Sequence, residues 1–202
     1  MKEPLNLVIA GIGGQGLVMT TKFICQAVFL EGYDLKSNDV IGLAQRGGRV
    51  WGSVRFGPEI HSPNIPPGEG DFLLGIEPME ALRWQYAMKP TAKMVLNTRQ
   101  VAPTAVQQEQ EPYPEDEVEK LVETFHSLTL DAVAEAMGCG NGKAANTLMV
   151  GCLSNWLPVS EDNWIQALKD TYPEKLHEVN IKAFHKGMEL GREWEEATRV
   201  CR

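Results

Sequence analysis

The residues of this chain whose type and spacing suit chemistry are glycines. Gly11, Gly13, Gly14 and Gly16 close the segment Leu5-Asn6-Leu7-Val8-Ile9-Ala10-Gly11-Ile12-Gly13-Gly14-Gln15-Gly16. Gly11, Gly13 and Gly16 fit G-x-G-x-x-G, which permits a tight turn and leaves no Cβ in the way of a close-approaching ligand. Leu5, Leu7, Val8 and Ile9 form the apolar run of a strand buried on both faces. Leu17 to Leu30 reads as a helix with Phe23, Ala27 and Leu30 on one face. Its free N–H groups point back into the turn, a setting that suits phosphate or another anion. The competing reading is a glycine turn packed against a partner subunit, with no ligand.

A second candidate follows in Ala44-Gln45-Arg46-Gly47-Gly48. Gln45 supplies an amide, Arg46 a fixed cation, and Gly47 and Gly48 two unrestricted backbones. Arg46 and Arg49 could clamp a phosphate or carboxylate bidentately; the plainer reading is a turn into the next strand with Arg46 solvated. A nicotinamide dinucleotide needs an acid at the end of the second strand, some 20 residues after the glycines, for the ribose hydroxyls. Asp34 lies near that count but at the start of the strand read at Tyr33–Ser37, and Asp39 comes late. A free-standing NAD(P)- or FAD-dependent oxidoreductase is therefore the alternative.

No side chain reads as a general base or nucleophile. His61 lies in a proline-rich loop and reads as solvated, and the carboxylates of Glu115 to Glu123 read as the acidic start of a helix. Cys25, Cys139, Cys152 and Cys201 lack the paired spacing of a metal or iron–sulfur site. Cys25 and Cys152 read as buried thiols; Cys139, between Gly138 and Gly140, is the one placed on a loop.

The elements that position these residues are read as follows. Ser37 to Gly48 shows no period. Arg49 to Phe56 alternates, with Val50, Gly52, Val54 and Phe56 on one face. Phe72 to Gly75 is a buried strand, Glu77-Pro78 starts a helix running to about Tyr86, and Lys93 to Asn97 is a strand. Thr98 to Pro114 is an excursion, and Ser127 to Leu130 a last strand. Asp131 caps a helix closed by Gly138, and Asn141 to Leu157 is an apolar helix in which Asn146 reads as a satisfied amide. Ser160 caps the next helix. On the last, Glu174 to Val200, Gly187 and Gly191 share a face with Phe184 and Trp194 and would admit another helix closely. This order predicts an α/β fold, a Rossmann-like open, largely parallel sheet flanked by helices, with a helical C-terminal portion.

At 202 residues the chain is read as one domain, 1–202. A net charge of −8 and no basic stripe argue against a nucleic-acid binder. No apolar run approaches a membrane span and Met1-Lys2-Glu3-Pro4 is no signal peptide, so no membrane partner and a cytoplasmic location are expected.

Gly11-Ile-Gly-Gly-Gln-Gly16, Gln45-Arg-Gly-Gly48 and Arg55 together resemble the gamma-type domain of 2-oxoacid:ferredoxin oxidoreductases, more narrowly the small beta subunit of indolepyruvate:ferredoxin oxidoreductase. The likeness continues through Asp71-Phe-Leu-Leu74, Glu77-Pro-Met-Glu-Ala-Leu-Arg83, Asn97, Tyr113-Pro114, Asn146 to Gly151 and Asn180-Ile-Lys-Ala-Phe184 with Gly187, nearly the whole chain in order. Ala134-Glu135-Ala136 departs from it. The resemblance implies a complex that oxidatively decarboxylates a 2-oxoacid with thiamine diphosphate and Mg2+, passes electrons through [4Fe-4S] clusters to ferredoxin, and forms an acyl-CoA. This chain has neither a G-D-G…N-N thiamine diphosphate signature nor clustered cysteines, so those cofactors are assigned to a large alpha subunit and the chain is not active alone. Gly11, Gly13, Gly14, Gln15 and Gly16, with Gln45, Arg46, Gly47 and Gly48, are then expected to face that partner and accommodate CoA or shape the substrate entrance.

Overall fold

In a computed structural model, which describes residues 3–41, 47–101 and 112–200, strand β1 (Leu5–Ile12) leads into helix α1 (Leu17–Leu30). Strands β2 (Asp34–Ile41), β3 (Arg49–Gly57) and β4 (Gly70–Gly75), helix α2 (Pro78–Trp84) and strand β5 (Met88–Asn97) follow. Beyond lie helix α3 (Glu115–Phe125), strand β6 (Leu128–Leu130) and helices α4 (Ala132–Gly138), α5 (Ala145–Ser154), α6 (Glu161–Thr171) and α7 (His177–Val200). Among the described residues, no helix is long and apolar enough to cross a membrane.

The six strands form one sheet in the order β2-β3-β1-β4-β5-β6. The pairs β1–β4, β4–β5 and β5–β6 are parallel. β3 is antiparallel to both β1 and β2, so the sheet is mixed and its parallel part starts at β1. Helices cover both faces. Phe23 and Ile24 of α1, Leu148 and Leu153 of α5, Trp164 of α6 and Phe184 of α7 share the larger core cluster. Ala81 of α2 and Leu121 of α3 join the smaller one on Val8, Ala10, Leu73 and Met94. Phe23 centres the first, its ring 5.4 Å from Trp164 and 6.1 Å from Phe184 in edge-on contacts.

Several boundaries and one helix cap differ from the sequence reading. The second strand runs to Ile41, because an edge strand buries little: Lys36, Asn38 and Asp39 carry no apolar period, and pairing with β3 holds them extended. β5 starts at Met88 rather than Lys93; Pro90, which cannot donate to the ladder, falls where the β4–β5 register shifts. Helix α4 includes Gly138, and Gly140, at φ 117°, turns the chain away. Ser160 precedes α6 without capping it; its N–H and Oγ donate to Glu31 Oε2 at 2.7 and 2.8 Å.

The close helix approach expected of the last helix occurs within the chain. α7 lies against α5 so tightly that a Cβ on Gly187 would strike the Leu148 carbonyl oxygen and one on Gly151 the Phe184 carbonyl oxygen.

Candidate functional site

The glycine turn sits at the carboxyl end of β1, and β4 ends beside it in parallel. The chain leaves β1 for α1 on one face of the sheet and leaves β4 for α2 on the other. A crevice where successive connections diverge in this way is where open α/β sheets bind ligands. Gly14 and Gly16 adopt φ 98° and 82°, which favour glycine, and both are exposed. Gly11 has a different reason: a Cβ there would lie 3.0 Å from Gln15 Oε1 and 3.3 Å from Ile76 Cβ.

Gly47 and Gly48 reach the turn directly. The Gly13 N–H donates to Gly48 O at 2.8 Å and the Gly47 N–H to Gly13 O at 3.4 Å, so the β1–β3 ladder continues past Ile12↔Arg49 into the turn. Gln45 and Arg46 lie outside the described residues. Gln15 folds back, its Oε1 accepting from the Ile12 N–H at 2.7 Å while its own N–H donates to Ile12 O at 3.1 Å. Its side-chain oxygen is therefore used to shape the turn. From across the core, Asn146 Nδ2 on α5 donates to Gln15 O at 2.8 Å and to Thr20 Oγ1 at 3.0 Å. The amide is satisfied, as the sequence reading has it; the reading missed that it grips the turn itself. Its one sequence signal is a lone amide at the start of an apolar helix.

Neither acid considered for a dinucleotide ribose is placed to serve it. Asp34 Oδ2 accepts the Ile60 N–H at 2.7 Å. Asp39 Oδ1 accepts from Thr21 Oγ1 at 2.8 Å and lies over Gly52, level with Ile9 rather than at the mouth of the turn. β3 separates β2 from β1, so the strand that would carry the acid is not the glycine strand's neighbour.

The sequence reading also missed a buried acidic cluster beside the turn. The Ile76 N–H donates to Ala10 O at 2.8 Å, which places Glu77 next to the end of β1. Glu77, 0% exposed, caps α2 through its Oε2 on the Glu80 N–H at 3.0 Å, and its Oε1 accepts from Tyr113 OH at 2.7 Å. The Met79 N–H in turn donates to Tyr113 OH at 3.2 Å. Burial raises the Glu77 pKa and the tyrosine hydrogen bond opposes that shift. Burial also raises that of Glu80, 2% exposed, against the charges of Arg83 (3.4 Å away) and Arg49. The signal was present in Glu77-Pro78-x-Glu80, where two acids share a first helical turn.

His61 is an exposed loop residue, 3.8 Å from Glu59. Cys152 is buried as expected, whereas Cys25 is partly exposed; desolvation pushes their thiols up to about 12 and about 11, so both stay protonated near neutral pH. Cys139 sits on a turn, as expected, but its side chain faces the larger core. Cys201 lies outside the described residues.

The model for the pyruvate ferredoxin/flavodoxin oxidoreductase family matches residues 6–190 of this chain. The indolepyruvate oxidoreductase subunit IorB of Thermococcus kodakarensis is 34% identical over 199 residues, covering 96% of this chain and 98% of that protein. The gamma subunit of a keto/oxoacid ferredoxin oxidoreductase from Geobacter sulfurreducens superposes with a TM-score of 0.69 at 19% identity, over 94% of this chain and 99% of its own. A 2-oxoglutarate:ferredoxin oxidoreductase from Magnetococcus marinus, solved with 2-oxoglutarate, coenzyme A and succinyl-CoA bound, matches at 0.70 and 19% identity. That match covers 96% of this chain and 32% of the larger one. At such identities these two structures share the fold.

Proposed function

Since the chain belongs to the pyruvate ferredoxin/flavodoxin oxidoreductase family, we propose that it is the small subunit of a cytoplasmic 2-oxoacid:ferredoxin oxidoreductase whose substrate is indolepyruvate or another aryl pyruvate. The observation that carries this reading is the 34% identity to an indolepyruvate oxidoreductase subunit over nearly the full length of both chains. The complex would convert the 2-oxoacid and CoA to an acyl-CoA and carbon dioxide, with ferredoxin as electron acceptor. Thiamine diphosphate, Mg2+ and [4Fe-4S] clusters supply that chemistry from the large alpha subunit. Among the described residues, Cys25 lies on α1, Cys139 on the turn after α4 and Cys152 on α5, and no group of His, Cys, Asp and Glu could hold a metal ion.

What this chain contributes is the glycine turn with the Gln45–Gly48 loop, turned toward the large subunit. Gly14 and Gly16 add no side chains of their own to the turn, and the first turn of α1 favours an anionic group, a CoA phosphate or the 2-oxoacid carboxylate. Arg46 is assigned the role of ion-pairing that group.

The test is a pull-down of the tagged chain from its native extract, followed by kinetics of the reconstituted complex. A brown eluate containing thiamine and a large iron–sulfur partner supports the subunit reading. A colourless single chain that titrates with NAD or FAD overturns it. Within the complex, Arg46→Ala and Gly14→Ala should raise KM for CoA or for the 2-oxoacid. Unchanged constants for both substrates remove the binding role of the two loops.

A further inference from the structure

Asn146 does more than fill its place in the core. Its Nδ2 spends one hydrogen on the glycine turn, at Gln15 O 2.8 Å away, and the other on Thr20 Oγ1 in the first turn of α1 at 3.0 Å. Thr20 is itself tied to the turn, its Oγ1 donating to Gly16 O at 3.1 Å and its N–H to the same oxygen at 3.1 Å. The peptide joining Gln15 to Gly16 is trans and planar, so its C=O and N–H point in opposite directions. With the Gln15 carbonyl drawn toward α5, planarity directs the Gly16 N–H away from α5, and Gly16 itself is exposed. Among the described residues, no acceptor takes that N–H.

The peptide has an accessible alternative. Glycine at 16 crosses between positive and negative φ with little cost, so the unit could rotate and present the Gln15 carbonyl where the Gly16 N–H now lies. An anion held by N–H donors would then meet a carbonyl dipole instead. Asn146 opposes that rotation by holding the carbonyl from a rigid mount. It is the second residue of α5, the helix locked against α7 where Gly151 and Gly187 admit no Cβ.

We propose that Asn146 is a positioning residue for the reaction: it fixes the Gln15–Gly16 peptide with its N–H outward, so that the glycine turn presents a donor to an anionic substrate group. The inference rests on the reading of the turn as a ligand-facing element. The group it serves is a phosphate or carboxylate, and separate KM values for CoA and for the 2-oxoacid tell the two sources apart.

The experiment compares Asn146→Ala, Asn146→Asp and Gly14→Ala in the reconstituted complex. Asn146→Asp keeps the size but places a carboxylate oxygen against the Gln15 carbonyl and the Thr20 hydroxyl. Expected is a rise of about tenfold in one KM, the equivalent of one lost hydrogen bond, with kcat within about twofold and assembly intact. Amide hydrogen exchange of Gly16 supplies a readout apart from turnover, and should change in both Asn146 variants. If Gly14→Ala raises a KM while both Asn146 variants leave it unchanged, the positioning role is overturned and the site stands. If Gly14→Ala is also silent, the ligand-facing reading falls and takes the proposal with it. A lowered melting temperature with unchanged KM and Gly16 exchange makes Asn146 a structural brace only, which also overturns the proposal.

Discussion

Replacing Gly187 by alanine should destabilise the protein, against the ordinary preference of helices. In an open helix the change gains about 1 kcal/mol, because alanine gives up less backbone freedom. At 187 the added Cβ would meet the Leu148 carbonyl oxygen, with Leu148 C at 2.9 Å and Cys152 N at 3.0 Å. These are backbone atoms and have no rotamer to change, so α5 and α7 must separate. Overpacking of this kind costs typically 1–3 kcal/mol, and more when helices move apart. Because only rigid backbone atoms are met, the cost falls at the upper end of that range, about 2–3 kcal/mol, and the net loss after the propensity gain is about 1–2 kcal/mol. For a chain of this size that lowers Tm by roughly 2–8 °C. Gly138→Ala is the matched control: it lies within α4, a Cβ there meets nothing within 4 Å, and it should gain up to about 1 kcal/mol. Thermal melts of the two purified variants, followed by circular dichroism, decide the matter. A Gly187→Ala protein as stable as the parent would refute the close-packing argument, and a destabilised Gly138→Ala protein would refute the use of these contacts to choose the sign.

Glu31 receives three hydrogen bonds on one oxygen, from Ser160 N–H, Ser160 Oγ and Asn163 Nδ2, joining the end of α1 to the start of α6. Glu31→Ala should cost about 1 kcal/mol. Its carboxyl is held below the usual range, chiefly by the Ser160 N–H, so its contribution is present above the unfolded pKa and is lost as pH falls through the folded one. Urea melts of Glu31→Gln from about pH 3 to 6 should show a shallower acid-side decline than the parent, and an identical decline would count against this assignment. Tyr113→Phe leaves buried groups at Glu77 and Met79 without their partner and should cost about 1–3 kcal/mol. Glu77 is shifted upward by burial, so stability present below its unfolded pKa is lost as pH rises through the folded value, and removing the tyrosine should deepen that loss. Melts at several pH values check it; parallel profiles for variant and parent would sink it.

The fold was legible where apolar period and glycine chemistry agree. The run of Leu5, Leu7, Val8 and Ile9, the helix Leu17–Leu30 and the alternation of Val50, Val54 and Phe56 are legible in their spacing, and the structure forms all three, carrying β1 on through Gly11 to Ile12. β2 was half legible, because its residues are held by β3 and contribute little burial of their own. The antiparallel insertion of β3 between β1 and β2 has no local signature; strand order is a property of long-range pairing. The glycine turn was legible as a turn, and Asn146 as a satisfied amide. Its grip on Gln15 was not, since 131 residues separate the two and only tertiary packing brings them together. Glu77 was read as a helix start, which it is; its tie to Tyr113 crosses 36 residues and leaves no spacing to read.

The ladder between β1 and β3 also acts as a ruler. Its register runs without a break from Leu5↔Phe56 to Ile12↔Arg49, and the Gly13–Gly48 bond is its next rung. Inserting or deleting one residue within Arg49–Phe56 would either carry Gly48 off that rung or turn the residues on the other side of the change to the opposite face of the sheet. Length changes among distant members of this fold should therefore collect on either side of this segment. The number of residues between Gly48 and Phe56 is then a heritable dimension of the site, as much as any side chain in it.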